Sequence, residues 1–124
     1  MGVFSVTVGI GDPAGQRFRD VDLVVDTGSS YTSLPASVLR EAGVRPHKKQ
    51  RFVMADGRRV ESEIGRTWVR IDGGQEMTLV VFAEEDTAPL LGAITLQEFG
   101  LGIDPVNHKL VPVEGYRLTM IEAP

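Results

Sequence analysis

Hydrophobic and polar residues alternate from the start of the chain with the two-residue period of a strand. Over residues 3–10, Val3, Ser5 and Thr7 alternate with Phe4, Val6 and Val8, which predicts a first strand. Gly11-Asp12-Pro13-Ala14-Gly15 is dense turn chemistry, and residues 21–25 predict a second, apolar strand ending on Asp26. Residues 34–43 predict a short helix, with Ser33 near its N-cap, Pro35 in its first turn and Gly43 at C′. Residues 52–60 predict a hairpin turned by the two residues Asp56-Gly57. Over 67–71 the alternation returns, with Trp68 and Arg70 on one face and Val69 and Ile71 on the other. Asp72-Gly73-Gly74 then turns the chain into the continuous apolar run 77–83, typical of a buried strand. An acidic turn, Glu84-Glu85-Asp86, precedes Leu90-Leu91-Gly92 and a short helix over 93–99 closed by Gly100. Strands are expected at 101–104 and 109–113, with one more at 117–121. Many short strands, regular turn signals and two short helices predict a mostly β, barrel-like domain.

Composition narrows the function classes. The 124 residues are 42% hydrophobic and 24% charged, which suits one globular domain over 1–124. A net charge of −4 is too mild to call for a nucleic acid or a membrane surface as partner. No apolar run approaches the roughly 20 residues that span a bilayer. The first residues show no basic segment or cleavage site, and Val6 stands where a myristoylation pattern needs a hydroxyl. A cytoplasmic location is therefore expected. The chain has no cysteine, which removes disulfides and thiolate chemistry and fits a reducing compartment. His47 and His108 lie far apart beside basic neighbours, so two solvated loop histidines are expected and no metal or other cofactor.

The segment 45–51, with Arg58 and Arg59, is the basic concentration of the chain. Phe52 is the one aromatic interleaved with it, so a solvated loop is expected rather than a nucleic-acid surface. Steering of acidic substrates toward the nearby hairpin is the functional alternative. Trp68 reads as a core or interface aromatic. Asp104, in Gly102-Ile103-Asp104-Pro105, lacks a following glycine turn and reads as a turn-forming residue.

The candidate chemistry sits in Val24-Val25-Asp26-Thr27-Gly28-Ser29-Ser30, where a β-branched run delivers one acid into a glycine turn flanked by hydroxyls. Taken alone, this is also the composition of a capped turn between a strand and a loop. Two further features follow in order: the glycine-turned hairpin at Asp56-Gly57, about thirty residues on, and Leu90-Leu91-Gly92-Ala93 leading into a short helix. In this order the three resemble the retropepsin-like aspartic proteases: the acid loop, the flap, and a pair of hydrophobic residues before a glycine. The resemblance spans about residues 3–113. It implies a closed β-barrel of the acid protease fold with two short helices and a flap hairpin.

The resemblance also implies a function. The acid loop occurs once, and aspartic proteases work with two carboxylates sharing one proton, so the active form is expected to be a homodimer with Asp26 from each subunit. One ionised Asp26 takes a proton from water while its protonated partner polarises the scissile carbonyl of an extended peptide. Gly28 admits backbone N–H groups close to the carboxylate, Thr27 reaches across to the partner loop, and Ser29 offers its hydroxyl to the outer carboxylate oxygen. Val53, Met54, Ala55, Asp56 and Gly57 form the flap that closes over substrate. An acidic to mildly acidic pH optimum is expected. In retroviral members the third motif continues with arginine and asparagine, which brace the acid loop. Here Gly92 precedes Ala93-Ile94, so Tyr31 and Thr32 must be fixed in another way. The second function class is a non-catalytic dimeric module that holds a peptide in the same groove.

Overall fold

The computed structural model describes residues 3–117. In chain order these form β1 (Ser5–Gly11), β2 (Phe18–Val25), β3 (Thr32–Pro35), α1 (Ala36–Glu41), β4 (Pro46–Val53) and β5 (Arg59–Ile71). There follow β6 (Gly74–Ala83), β7 (Leu90–Leu91), α2 (Ala93–Phe99), β8 (Leu101–Asp104) and β9 (Lys109–Pro112). All but the first residue of the strand expected at 117–121 lies outside the described residues.

Seven strands hydrogen-bond in the order β1-β2-β7-β3-β6-β5-β4, and β8 and β9 pair separately. The sheet bends back on itself, because β1 also meets β5 at Gly9↔Arg70 and Ile10↔Val69. Alternation sets the core as expected: Val8 and Ile10 of β1, Leu23 and Val25 of β2, and Val69 and Ile71 of β5 are buried. They pack with Val80 and Phe82 of the apolar run in β6 and with Leu91 and Leu96. The β5–β6 hairpin pairs Ile71 with Gly74 across Asp72 and Gly73. Both turn residues have positive φ, 48° and 83°, as a tight hairpin with the twist of its strands requires.

Two expectations are corrected. The helix expected over 34–43 begins only at Ala36, because Ser33 and Leu34 belong to β3, paired with Val81 and Phe82 of β6. Ser33 therefore caps nothing, and extended Pro35 precedes the helix. A carboxylate serves instead: Glu85, from the acidic turn, accepts the backbone N–H (3.0 Å) and hydroxyl of Ser37. The far end is as expected. Gly43 has φ +84°, its N–H reaches the Arg40 carbonyl at 3.0 Å, and the Val44 N–H reaches that of Leu39 at 2.9 Å.

The basic segment expected as a loop is strand β4 at the sheet edge. Its cations are indeed exposed, but Lys49 stands opposite Glu63 and Arg51 opposite Glu61 on β5. Opposite charges across a strand pair support pairing, and a lysine-rich edge discourages pairing with other chains.

Candidate active site

The acid loop hangs between β2 and β3, consecutive strands that β7 separates in the sheet. β7 runs parallel to β2 (Val24↔Leu90, Val25↔Leu91) and antiparallel to β3 (Ser33↔Leu90). The loop is thus tied at both ends to one two-residue strand. Asp26 donates its N–H to the Leu91 carbonyl at 3.1 Å, and Val25 donates its own to Phe4 at 2.9 Å.

Within the loop, the Gly28 N–H donates to Asp26 Oδ1 at 3.0 Å and the Ser29 N–H to the Asp26 carbonyl at 3.1 Å. This is an Asx turn that holds the carboxylate of an otherwise exposed side chain. A Cβ on Gly28 would lie 3.1 Å from that oxygen, so glycine permits the approach. Ser29 departs from the implied role, because its hydroxyl donates to the Tyr31 carbonyl at 3.1 Å. Thr27 is exposed in the single chain.

The third motif supports the loop from behind. Helix α2 has no side-chain cap, and loop carbonyls take its first free amides. Ala93 N–H donates to Ser29 and Ile94 N–H to Ser30, each at 2.9 Å. Gly92 lies against the chain at Tyr31, where a Cβ would fall 2.4 Å from the carbonyl carbon. Its N–H donates to Thr32 Oγ1 at 3.0 Å. Sequence reasoning missed the buried threonines Thr32, Thr78 and Thr95 that gather behind it. The missing ionic brace after Gly92 was the signal that something had to replace it.

The residues expected to form a flap lie on the β4–β5 hairpin, with a different turn. Gly57 N–H donates to the Met54 carbonyl at 2.9 Å and Met54 N–H to the Arg58 carbonyl at 2.7 Å. The tip is therefore the three-residue loop Ala55-Asp56-Gly57, with Gly57 at φ +87°, rather than a two-residue turn. The Arg58 N–H and Nε, at 3.0 and 2.8 Å, hold the Asp56 carboxyl below the ordinary carboxylate range.

Between loop and flap runs a groove of about 690 Å³. Asp26, Gly28 and Ser29 line it, as do Val53, Met54, Ala55 and Leu90. Asp56 and Gly57 turn the tip beyond it, Leu91 belongs to the core, and Gly92 is buried under Tyr31. Three further lining residues went unremarked in this role. The Tyr31 hydroxyl accepts from Gln50 Nε2 at 3.2 Å, and its ring meets Phe52 edge-on at 5.5 Å. The acid loop and the flap strand are thereby in contact. A separate hollow of about 560 Å³, between Pro13, Phe18 and Glu41, contains none of these groups.

The remaining candidates fall away from the groove. Asp104 is a turn former: its carboxylate accepts the N–H groups of Val106 and Asn107 at 3.0 and 3.1 Å. His47 lies on β4, and exposed His108 stacks on Phe4 with ring centroids 5.7 Å apart. Trp68 is half-buried beneath Gly15, outside the main core. Among the described residues, no helix is long and apolar enough to cross a membrane.

Comparison with known proteins agrees with this geometry. The family model for aspartyl proteases matches residues 6–94, more than half of the chain, and the chain belongs to that family. Its fold is retropepsin-like. It is similar to EIAV protease with an inhibitor bound (TM-score 0.58, 18% identity, covering 80% of this chain and 89% of that one). It is also similar to the retroviral protease-like domain of Ddi1 from Leishmania major (TM-score 0.58, 20% identity, covering 90% and 89%). A third similar structure is a retropepsin-like aspartic protease from Rickettsia conorii (TM-score 0.53, 19% identity, covering 83% and 86%). No curated protein sequence matches the chain.

Proposed function

We propose that the chain, as one domain over 1–124, is an aspartic endopeptidase active as a homodimer with one Asp26 from each subunit. The observation that carries this is the exposed Asp26 carboxylate, held by the Gly28 N–H on the floor of a groove roofed by a flap. A two-fold axis at the loop brings each Asp26 against its own copy, as an isologous contact requires. Two carboxylates about 3 Å apart share one proton, the established behaviour of aspartic-protease dyads in general. One then activates water while the other donates to the carbonyl oxygen. Exposed Thr27 is available to the partner loop, and Leu90, Leu91 and Gly92 keep the loop in place. Residues 53–57 close over an extended peptide, and the return of β1 onto β5 supports a closed barrel as the scaffold. The reading involves neither nucleic acid nor membrane and no cofactor, and a cytoplasmic setting suits it.

Asp26→Asn tests the proposal. The variant should keep the far-UV spectrum, melting temperature and sedimentation behaviour of the wild type while losing cleavage of a peptide library. Full cleavage by Asp26→Asn would refute the catalytic role. A strict monomer from about pH 4 to 7 would refute the homodimer, and peptide binding without cleavage by the wild type would favour the non-catalytic module.

A further inference from the structure

Thr32 of β3, Thr78 of β6 and Thr95 of α2 are fully buried and meet behind the acid loop. Thr32 Oγ1 lies 2.6 Å from Thr95 Oγ1, which lies 2.9 Å from Thr78 Oγ1. Thr78 Oγ1 in turn donates to Glu98 Oε1 at 2.5 Å. Distances alone leave the two central bonds undirected, but the Glu98 end directs them. The Thr78 hydroxyl donates to Glu98, so its single hydrogen is committed there. Thr95 must then donate to Thr78, and Thr32 to Thr95. That leaves a Thr32 lone pair for the Gly92 N–H, which donates to it at 3.0 Å. The Gly92 N–H fits this direction, taking one of the two lone pairs on the Thr32 oxygen.

We propose that Thr32, Thr95 and Thr78 form a one-way hydrogen-bond chain, ending on Glu98, that positions the Asp26 loop. They are positioning residues that act through Gly92. Fixing the Gly92 N–H fixes its neighbours: the Leu91 carbonyl receives the Asp26 N–H, and the Ala93 and Ile94 amides bond to Ser29 and Ser30. Both ends of the loop are thereby referred to one buried point. Aligned hydroxyls polarise one another, and in a dry interior each member left without its partner is costly. The chain occupies the role left open by the arginine–asparagine brace missing after Gly92. As a claim about catalysis, it rests on the proposed role of Asp26.

The test is Thr95→Val, which keeps the side-chain shape and removes the hydroxyl, beside Thr95→Ser, which keeps the hydroxyl and removes the methyl. Thr95→Val should lower kcat about tenfold or more with little change in KM, because a slight misplacement of reacting groups is enough. Thr95→Ser should restore most of that loss. Amide exchange at Gly92, Ala93 and Ile94 should quicken about tenfold in Thr95→Val, while core amides such as Val8 stay protected. If Thr95→Val does not fold, Thr78→Val is measured in the same way. Wild-type kcat and unchanged Gly92 exchange in the valine variant would overturn the proposal, as would a serine variant worse than valine. A wild type that cleaves nothing would refute the catalytic reading alone, and the exchange measurement would still decide whether the chain positions the loop.

Discussion

Gly92→Ala separates crowding from backbone conformation. The Gly92 backbone is extended, φ −94° and ψ 172°, which alanine adopts freely. Space is what is lacking: a Cβ would stand 2.4 Å from the Tyr31 carbonyl carbon, 2.5 Å from its oxygen and 2.9 Å from the Thr32 nitrogen. All three are backbone atoms where the acid loop enters β3 and cannot rotate aside, so relief requires moving the backbone there by about an ångström. Overpacking costs about 1–3 kcal/mol, and loosening one or two of the Gly92, Ala93 and Ile94 amide bonds adds about 1 kcal/mol each. The sum is about 2–5 kcal/mol, or ~8–20 °C in melting temperature for a domain of this size. Gly57→Ala is the control, since Gly57 has φ +87° but nothing within 4 Å of the added methyl. It should cost about 1–2 kcal/mol from the left-handed conformation alone. Thermal unfolding followed by circular dichroism reads both. A Gly92→Ala variant melting within a few degrees of wild type, or above Gly57→Ala, would refute the crowding account.

Three further outcomes are expected. Gly15→Ala places a methyl 2.9 Å from the Trp68 ring at φ +70°, and Trp68 is the single tryptophan. Its emission should shift to the red with about 1–2 kcal/mol lost, and an unchanged spectrum at unchanged stability would count against that packing. The Asn107 side chain and then its backbone N–H hold the Asp104 carboxyl below the ordinary carboxylate range. A carboxyl depressed in the folded state stabilises above that range, and the gain is lost as pH falls through the depressed value. Asn107→Ala should therefore lower the melting temperature at neutral pH and flatten its fall in acid; parallel curves for the two proteins would contradict this. Val53, the last residue of β4, lines the groove and is 69% exposed, so Val53→Ala should change KM or kcat with the melting temperature held within a few degrees. A large fall in stability would show that this end of β4 packs more tightly than its exposure indicates.

Much of the fold was legible because local chemistry and global position agreed. The apolar run of β6, the Asp72-Gly73 turn and the Gly43 helix end each have one local solution, and the structure adopts it. Where tertiary pairing decided, the pattern misled. Ser33 and Leu34 are plausible at a helix start, yet β6 and β7 recruit them into β3. Charge on both faces of β4 hid a strand whose complement, Glu61 and Glu63, lies across the hairpin rather than along it. The acid loop and the Leu90-Leu91-Gly92 motif were legible as residue types, and the structure brings them together. The threonine chain was not legible, because Thr32, Thr78 and Thr95 come from three separated segments, each unremarkable alone.

The location of these bonds implies a division of labour between the two walls of the groove. The loop side is secured by β7, only two residues long yet placed between β2 and β3. Its neighbours Gly92, Ala93 and Ile94 give all of their amide bonds to the loop and its buried threonine. Damage there must reach stability and the Asp26 carboxylate together, because the same bonds serve both. The flap side is an edge hairpin whose tip is exposed, and few buried contacts oppose its opening. The two walls meet at Tyr31, which extends from the loop to Gln50 and Phe52 on β4. A rigid floor with a compliant roof fits the proposed function, in which the site holds an acid in place while admitting an extended chain. Under the proposed function, what this floor still requires is a second carboxylate.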